Sequence, residues 1–347
     1  MSELLLPIDL LAELSRLPGL PGRERVVTEL IQLSLPGGWQ SSVDALGNLV
    51  ASRRGEGRSP TQGRHSGKRR IMLMAHMDEV GLIVRRITPE GFLLVERLGG
   101  MGIRALPGSR LTLWTAGGSL PAAVGTLPQH LDDRPLLEIS QVYVDIGAFS
   151  REEAVHMGAQ VGDGLTWDAS LAHLGGGLVC GKALDDRAGC FALLSLAHWL
   201  ESQELAQEYE LQLAFVVQEE AITAGGVPAV QSYQPEIVIG VDGTLAFDTP
   251  DLLGKQSEIA LGRGPALKWM DAIRGKTGAF VPSWELAQRT RSLAHQHRIP
   301  LQDEVVTGMT TAISPVVYAI AGMQAVALSI PLRYHHSPVE MVALKDL

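Results

Sequence analysis

Two kinds of apolar spacing alternate along the chain and divide it into three stretches. In residues 8–35 the apolar positions Leu10, Leu11, Leu14 and Leu17, then Val26, Val27, Leu30, Ile31 and Leu33, recur at helical intervals. Pro18-Gly19-Leu20-Pro21-Gly22 punctuates them, so two short helices with a break are expected. Residues 43–52 read as an extended segment with a turn at Leu46-Gly47. From about Val84 to Trp167 short β-type runs take over, at 91–95, 110–114, 122–127, 141–146 and 164–168. Gly and Pro separate them, which suggests a small β-barrel or sandwich. Later residues again alternate, with a helix predicted over 187–203 and strands over 211–217, 237–241 and 325–330. The pattern is that of an α/β domain, residues 1–83 and 173–347, interrupted by a β domain at 84–172, with no internal repeat.

The candidate chemistry sits where the apolar runs stop. Ile71-Met72-Leu73-Met74-Ala75 leads into His76-Met77-Asp78-Glu79. On a strand, His76 and Asp78 leave from the same face. Asp78 can then accept a proton from the ring nitrogen of His76 that does not face a metal. The run at 211–217 leads into Gln218-Glu219-Glu220, the run at 237–241 into Asp242, and the run at 325–330 into a segment holding His335-His336-Ser337-Pro338. In an open α/β sheet, ligands bind beyond the carboxyl ends of the strands. A fifth segment, Gly181-Lys182-Ala183-Leu184-Asp185-Asp186, opens a small-residue helix with an acidic pair. Taken singly, these are a polar cap, a solvated strand end, a turn residue and a helix cap. Their recurrence at one end of four strands points instead to a metal site.

The set His76, Asp185, Glu220, Asp242 and His336 offers imidazole and carboxylate ligands and no thiolate, which suits zinc, cobalt or manganese. Its three carboxylates balance two divalent cations and one hydroxide. Two metals roughly 3.5–4 Å apart would polarise a carbonyl and generate a nucleophile. Glu219, beside Glu220, is then the natural general base for a metal-bridging water.

Composition narrows the partners. The formal net charge of −9 argues against a general nucleic-acid or anionic-membrane binder. The Arg-rich segment 53–70 lacks aromatic residues and reads as a solvated loop. Cys180 and Cys190 are the only cysteines, so they form neither a disulfide framework nor a thiolate zinc site, and buried thiols in a reducing compartment are expected. The N-terminus lacks a secretory pattern, and no apolar stretch reaches membrane-spanning length, so a cytoplasmic location with no membrane is the expectation.

With these residues in view, the chain resembles the glutamyl and tetrahedral aminopeptidases, co-catalytic metallopeptidases whose relatives were once labelled cellulase M. The matching segments are Ala75–Gly81, Ala183–Gly189, Val217–Glu220, Val241-Asp242 with Asp248-Thr249-Pro250, and Ile330–Glu340. Val144–Ala148 and Val161-Gly162-Asp163 match in the β insertion. The resemblance implies an α/β fold, a mixed sheet flanked by helices, with an inserted small β-barrel domain that helps assembly. It implies two divalent metal ions per subunit, bridged by Asp185. His76 and Asp242 would hold one and Glu220 and His336 the other, with Glu219 as general base and Asp78 orienting His76. The family's pattern places the ligand directly before Ser-Pro, which selects His336 over His335. Peptide substrates and a homo-oligomer, often a dodecamer, are also implied.

Several segments depart from that pattern. Where relatives commonly carry Gly-Thr-Asp-Ala, this chain has Gly308-Met309-Thr310-Thr311-Ala312, without the acid. Ala221-Ile222-Thr223-Ala224-Gly225 replaces Val-Gly-Leu-Arg-Gly, and the sequence stops at Leu347 where relatives continue into a helix. Two other readings compete: a polysaccharide hydrolase, which would need two carboxylates about a glycosidic bond and no metal, and a metal-stabilised assembly protein without catalysis.

Overall fold

In the computed structural model, which describes residues 6–53, 69–128, 130, 138–203, 209–272 and 279–347, the punctuated N-terminal pattern becomes two helices. They are α1 (Ile8–Arg16), which buries Leu11 and Leu14, and α2 (Arg25–Ser34), which buries Val27 and Ile31. Leu33, counted in the apolar spacing, is exposed instead. A hairpin follows, β1 (Trp39–Val43) and β2 (Leu49–Arg53). The Asp44 carboxylate closes its turn by accepting from the backbone N–H of Leu46, Gly47 and Asn48. Next comes β3 (Arg69–His76). Most of the Arg-rich segment, 54–68, lies outside the described residues.

The β-type runs form a closed antiparallel barrel rather than a sandwich. Its strands are β4 (Gly81–Ile87), β5 (Leu93–Leu98), β6 (Arg110–Thr115), β7 (Gly118–Val124), β8 (Tyr143–Asp145) and β9 (Gly164–Trp167), in the order β4-β5-β8-β7-β6-β9. The short helix α3 (Arg151–His156) lies between β8 and β9. Leu82, Leu93, Leu113, Val144 and Leu165 fill the interior, so the barrel has its own core.

The remaining elements are β10 (Ala172–Leu174), β11 (Leu178–Gly181), α4 (Leu184–Glu201), β12 (Tyr209–Val216), α5 (Glu219–Ile222), α6 (Val227–Tyr233), β13 (Ile237–Leu245), β14 (Ala266–Ala272), α7 (Trp284–His297), β15 (Gln302–Thr307), β16 (Gln324–Leu332) and β17 (Glu340–Ala343). An eight-stranded mixed sheet runs β1-β2-β12-β3-β13-β16-β14-β15, and β10-β11-β17 make a small second sheet. One face of the large sheet packs Leu213, Phe215 and Leu332 against α1, α2 and α4. The other packs Met72, Val216 and Val238 against α6 and the 312–320 segment.

The order of the central strands positions the site. β12, β3, β13 and β16 are neighbours and all parallel, so their carboxyl ends share one edge. Register places the chemistry at one level along that edge. Val216 pairs with His76, and Gly240 with Met74, which brings Asp242 level with His76. Asp242 therefore lies inside β13, which continues to Leu245, and not just beyond a strand ending at 241. The continuation is held by pairing with β16, where Leu245 faces Leu332.

Candidate metal centre

Asp185 lies at the middle of the cluster. Its Oδ1 is 3.3 Å from His76 Nε2, and its Oδ2 is 2.5 Å from His335 Nε2 and 3.6 Å from His336 Nε2. His76 Nε2 is also 3.7 Å from Asp242 Oδ1, and His336 Nε2 is 3.1 Å from Glu220 Oε1. Two groups of potential metal ligands result, His76–Asp185–Asp242 and Asp185–His335–His336, each with ligand atoms within 4.8 Å of one another. All five residues expected as ligands are thus together, and His335 is with them.

Local backbone explains the placement. Asp185 and Asp186 open α4 with non-helical dihedrals, and the two carboxylates divide the work. Asp186 is the cap: its Oδ1 accepts from Gly189 N–H at 3.0 Å and its Oδ2 from His76 N–H at 3.2 Å. Asp185 is left facing the imidazoles. A Cβ on Gly243 would come within 2.8 Å of Asp185 Oδ1, so this glycine keeps room for the carboxylate. Asp242 is fixed by Gly243 N–H at 2.7 Å and Ala312 N–H at 2.8 Å.

Asp78, expected to orient His76, lies beside it and binds elsewhere as well. Its Oδ1 lies 3.4 Å from His76 Nδ1, without the alignment of a hydrogen bond. Its two oxygens instead accept from the backbone N–H of Glu219 and Glu220, both at 2.9 Å. Asp78 therefore ties the end of β3 to the start of α5 and sets where Glu219 and Glu220 begin.

The electrostatics are those of buried acids crowded together. Burial pushes Glu219 well above the ordinary carboxylate range, and Asp242, Glu220 and Asp78 add to it against the pull of His76. Burial likewise raises Asp242 to about 8, and it raises Asp186, where Asp242 adds to the effect. Burial would raise Asp185 too, but His335, His336 and His76 outweigh it and hold it well below the usual range. Burial pulls His76 and His336 down, and the surrounding carboxylates lift both well above an ordinary imidazole. Among the described residues, Asp185 Oδ1 and Glu219 Oε1 are buried without a hydrogen-bond partner. A buried, unpartnered carboxylate oxygen among imidazoles suits cations, and this nitrogen and oxygen set suits zinc, cobalt or manganese.

The M42 glutamyl aminopeptidase family model matches residues 58–347. The chain belongs to this family. The putative aminopeptidase SgcX of Escherichia coli strain K12 is 37% identical over 309 residues, 88% of this chain and 80% of that protein. Among solved structures, an aminopeptidase from the archaeon Desulfurococcus kamchatkensis matches with TM-score 0.89 and 33% identity, covering 98% of this chain and 90% of the other. The TET1 peptidase of Pyrococcus horikoshii, described as assembling into a tetrahedron or a large octahedral shell, matches with TM-score 0.81 and 30% identity over 98% and 95%. This M42 chain is accordingly an aminopeptidase, a peptide hydrolase.

Three features of this M42 site lie outside the sequence reading. Glu340 is a buried carboxylate at the start of β17, where pairing with Gly181 brings it under the Asp185 turn. It accepts from Asp185 N–H at 3.1 Å and His336 N–H at 2.8 Å, and burial with Asp185 nearby raises it to about 8. Glu79, which had no assigned role, pairs both its oxygens with Lys182 Nζ at 2.8 Å and accepts from Gly19 N–H at 3.1 Å. The third feature is a buried acid packed against the 308–312 segment. Asp271 on β14 accepts from the hydroxyls of Thr311 and Ser314 at 2.8 and 2.9 Å, holding the turn whose Ala312 N–H fixes Asp242. Apart from the four-residue bond between His336 and Glu340, these roles join residues far apart in sequence and have no short-range signal.

Proposed function

We propose that the chain is a two-metal aminopeptidase that removes N-terminal residues from peptides, with Glu219 as the general base. The position of Asp185 carries this reading. Its two oxygens face two separate groups of imidazole and carboxylate ligands, so one carboxylate can serve two cations. His76 and Asp242 would hold one and Glu220 and His336 the other. Bound there, divalent cations such as zinc, cobalt or manganese polarise the scissile carbonyl and ease the ionisation of water.

Glu219 takes a proton from the attacking water and delivers it to the leaving amine as the C–N bond breaks. Burial raises its affinity for a proton, which suits a carboxylate that takes one up and then passes it on. Asp78 keeps Glu219 in place through the two amides it binds. The polysaccharide-hydrolase reading is not favoured, because these carboxylates converge on imidazoles rather than flank a bond.

In this reading residues 84–172 form the inserted assembly domain and the protein works as a homo-oligomer, a dodecamer being the tetrahedral form. The precedent is the Pyrococcus horikoshii TET1 peptidase. Phe149, Val155 and Val161, all exposed on this part of the chain, offer apolar contact area. Among the described residues no helix is long and apolar enough to cross a membrane. The free cysteines Cys180 and Cys190 suit a reducing, cytoplasmic setting.

Glu219→Gln tests the general base. Metal content should match the parent, while turnover of aminoacyl-anilides should fall by roughly 10²–10⁴-fold, the span of general acid–base catalysis. A Gln variant with full activity would remove Glu219 from the mechanism.

A further inference from the structure

His335 and His336 are neighbours, and neighbouring side chains on an extended chain point to opposite sides. Here they do not. Tyr334 has φ 58° and His336 φ 59°, a left-handed conformation that residues with a side chain rarely adopt. The turn brings the two imidazoles face to face, with centroids 3.8 Å apart and planes 28° apart. Three sets of hydrogen bonds hold it. Glu340 accepts from His336 N–H at 2.8 Å, Gly102 N–H donates to the His336 carbonyl at 3.2 Å, and Arg333 and Met341 exchange backbone bonds of 3.0 and 3.1 Å. A backbone of this kind persists only where its surroundings over-determine it, and such turns concentrate at ligand sites.

Both rings are turned toward Asp185. His335 Nε2 is 2.5 Å and His336 Nε2 3.6 Å from the same Oδ2. Ligand atoms of one tetrahedral ion with bonds near 2.0–2.1 Å are spaced roughly 3.3 Å apart. The pairs His336–Glu220 at 3.1 Å and His336–Asp185 at 3.6 Å have that spacing. His335 Nε2, at 2.5 Å, sits closer to Asp185 Oδ2 than that spacing, and it falls in one group of potential ligands with Asp185 and His336. His336 is further braced from the barrel side: its Nδ1 is 3.0 Å from the Gly100 carbonyl, and a Cβ on Gly100 would come within 2.6 Å of that ring atom. Holding the Nδ1 side of His336 leaves its Nε2, like that of His335, facing the carboxylates.

We propose that His335 is a further ligand of the ion held by Asp185, Glu220 and His336. This site then carries two imidazoles, while the site of His76 and Asp242 carries one. The inference rests on the two-metal reading and makes its two sites chemically unequal. Imidazole ligands favour cobalt and zinc over manganese, so the two-imidazole site should be the more selective.

The test uses metal-stripped full-length protein titrated with zinc and with cobalt, following stoichiometry, affinity and the cobalt absorption spectrum. The parent should bind two ions per chain. His335→Ala should keep one ion at parental affinity and bind the other more than roughly 100-fold more weakly, beyond the roughly 10–100-fold that loss of an outer partner alone costs. Its cobalt bands should shift as one nitrogen ligand is lost. His335→Gln, closer in volume and without an imidazole, should behave the same way, and metal-free melting of both variants checks that the fold is intact. Parental affinities and an unchanged cobalt spectrum in both variants would overturn the assignment of His335 alone. A parent that binds fewer than two ions would overturn the two-metal reading beneath it.

Discussion

At the scale of single residues, the site is built by backbone groups that hold carboxylates. Asp242, Asp78, Asp186 and Glu340 each accept from main-chain N–H groups, while Asp185 and Glu219 each keep a buried oxygen with no hydrogen-bond partner among the described residues. Four of the clustered residues, His76, Glu220, Asp242 and His336, were legible in the sequence because each follows an apolar run, and Asp185 because it opens a helix beside a second acid. The amide donors were not, because an N–H has no sequence signature. A similar pairing supports the histidine turn. Asp248 accepts from Arg333 Nε and Nη2, both at 2.7 Å, just ahead of Tyr334. Burial would raise Asp248, and Arg333 outweighs it and lowers the carboxyl below its ordinary value. A lowered folded-state pKa stabilises the protein above the unfolded value, near 3.9, and that stability is lost as pH falls through the folded value. Asp248→Asn carries no such dependence. The melting temperature of the parent should therefore exceed that of Asp248→Asn at pH 6, and the gap should close toward pH 3. A gap that stays constant would show that the ion pair is not the cause.

Among elements, apolar patterning located the strands that matter most and missed those that carry buried charge. β12, β3, β13 and β16 were readable because both their faces are covered and their residues are mostly apolar. β14 and β15 were not, because Lys268, Asp271 and Glu304 lie buried within them. Lys268 Nζ donates to Glu304 at 2.7 Å and to Thr244 at 3.0 Å, a polar network that breaks the apolar signal. α7 escaped because it buries little more than Ala287 and Ala294. A second buried pair joins the first helix to the site. Lys182, three residues before Asp185, bonds Glu79 and the carbonyl of Leu17 just after α1. Removing Lys182 leaves the buried Glu79 carboxylate with only the Arg187 guanidinium, 3.9 Å away, beside it, and breaking a buried pair costs up to about 3–5 kcal/mol. Lys182→Met should lower unfolding free energy by that order, and Glu79→Leu/Lys182→Met should recover part of the loss. Equal stability of the single variant and the parent in denaturant titration would contradict this account of the pair.

For the molecule as a whole, the barrel and the sheet meet at the candidate metal centre. Gly100 and Gly102, in the connection after β5, touch His336, so the inserted barrel forms one wall of the site. The alternation of α/β and β character in the sequence gave both parts of the architecture. It did not show that the barrel contributes to the site, because that contact spans over 200 residues of chain. The buried acids and imidazoles make most sense when cations bind among them, and the family supplies the reaction as peptide hydrolysis. The most direct measurement strips the metal from the protein, adds back zinc, cobalt or manganese in measured equivalents, and follows hydrolysis of a panel of aminoacyl-anilides. Activity should be absent from the stripped protein and should return, reaching its plateau at two equivalents per chain, with at least one metal and one aminoacyl group. No hydrolysis with any metal, or full activity in the stripped protein, would contradict the proposed two-metal aminopeptidase.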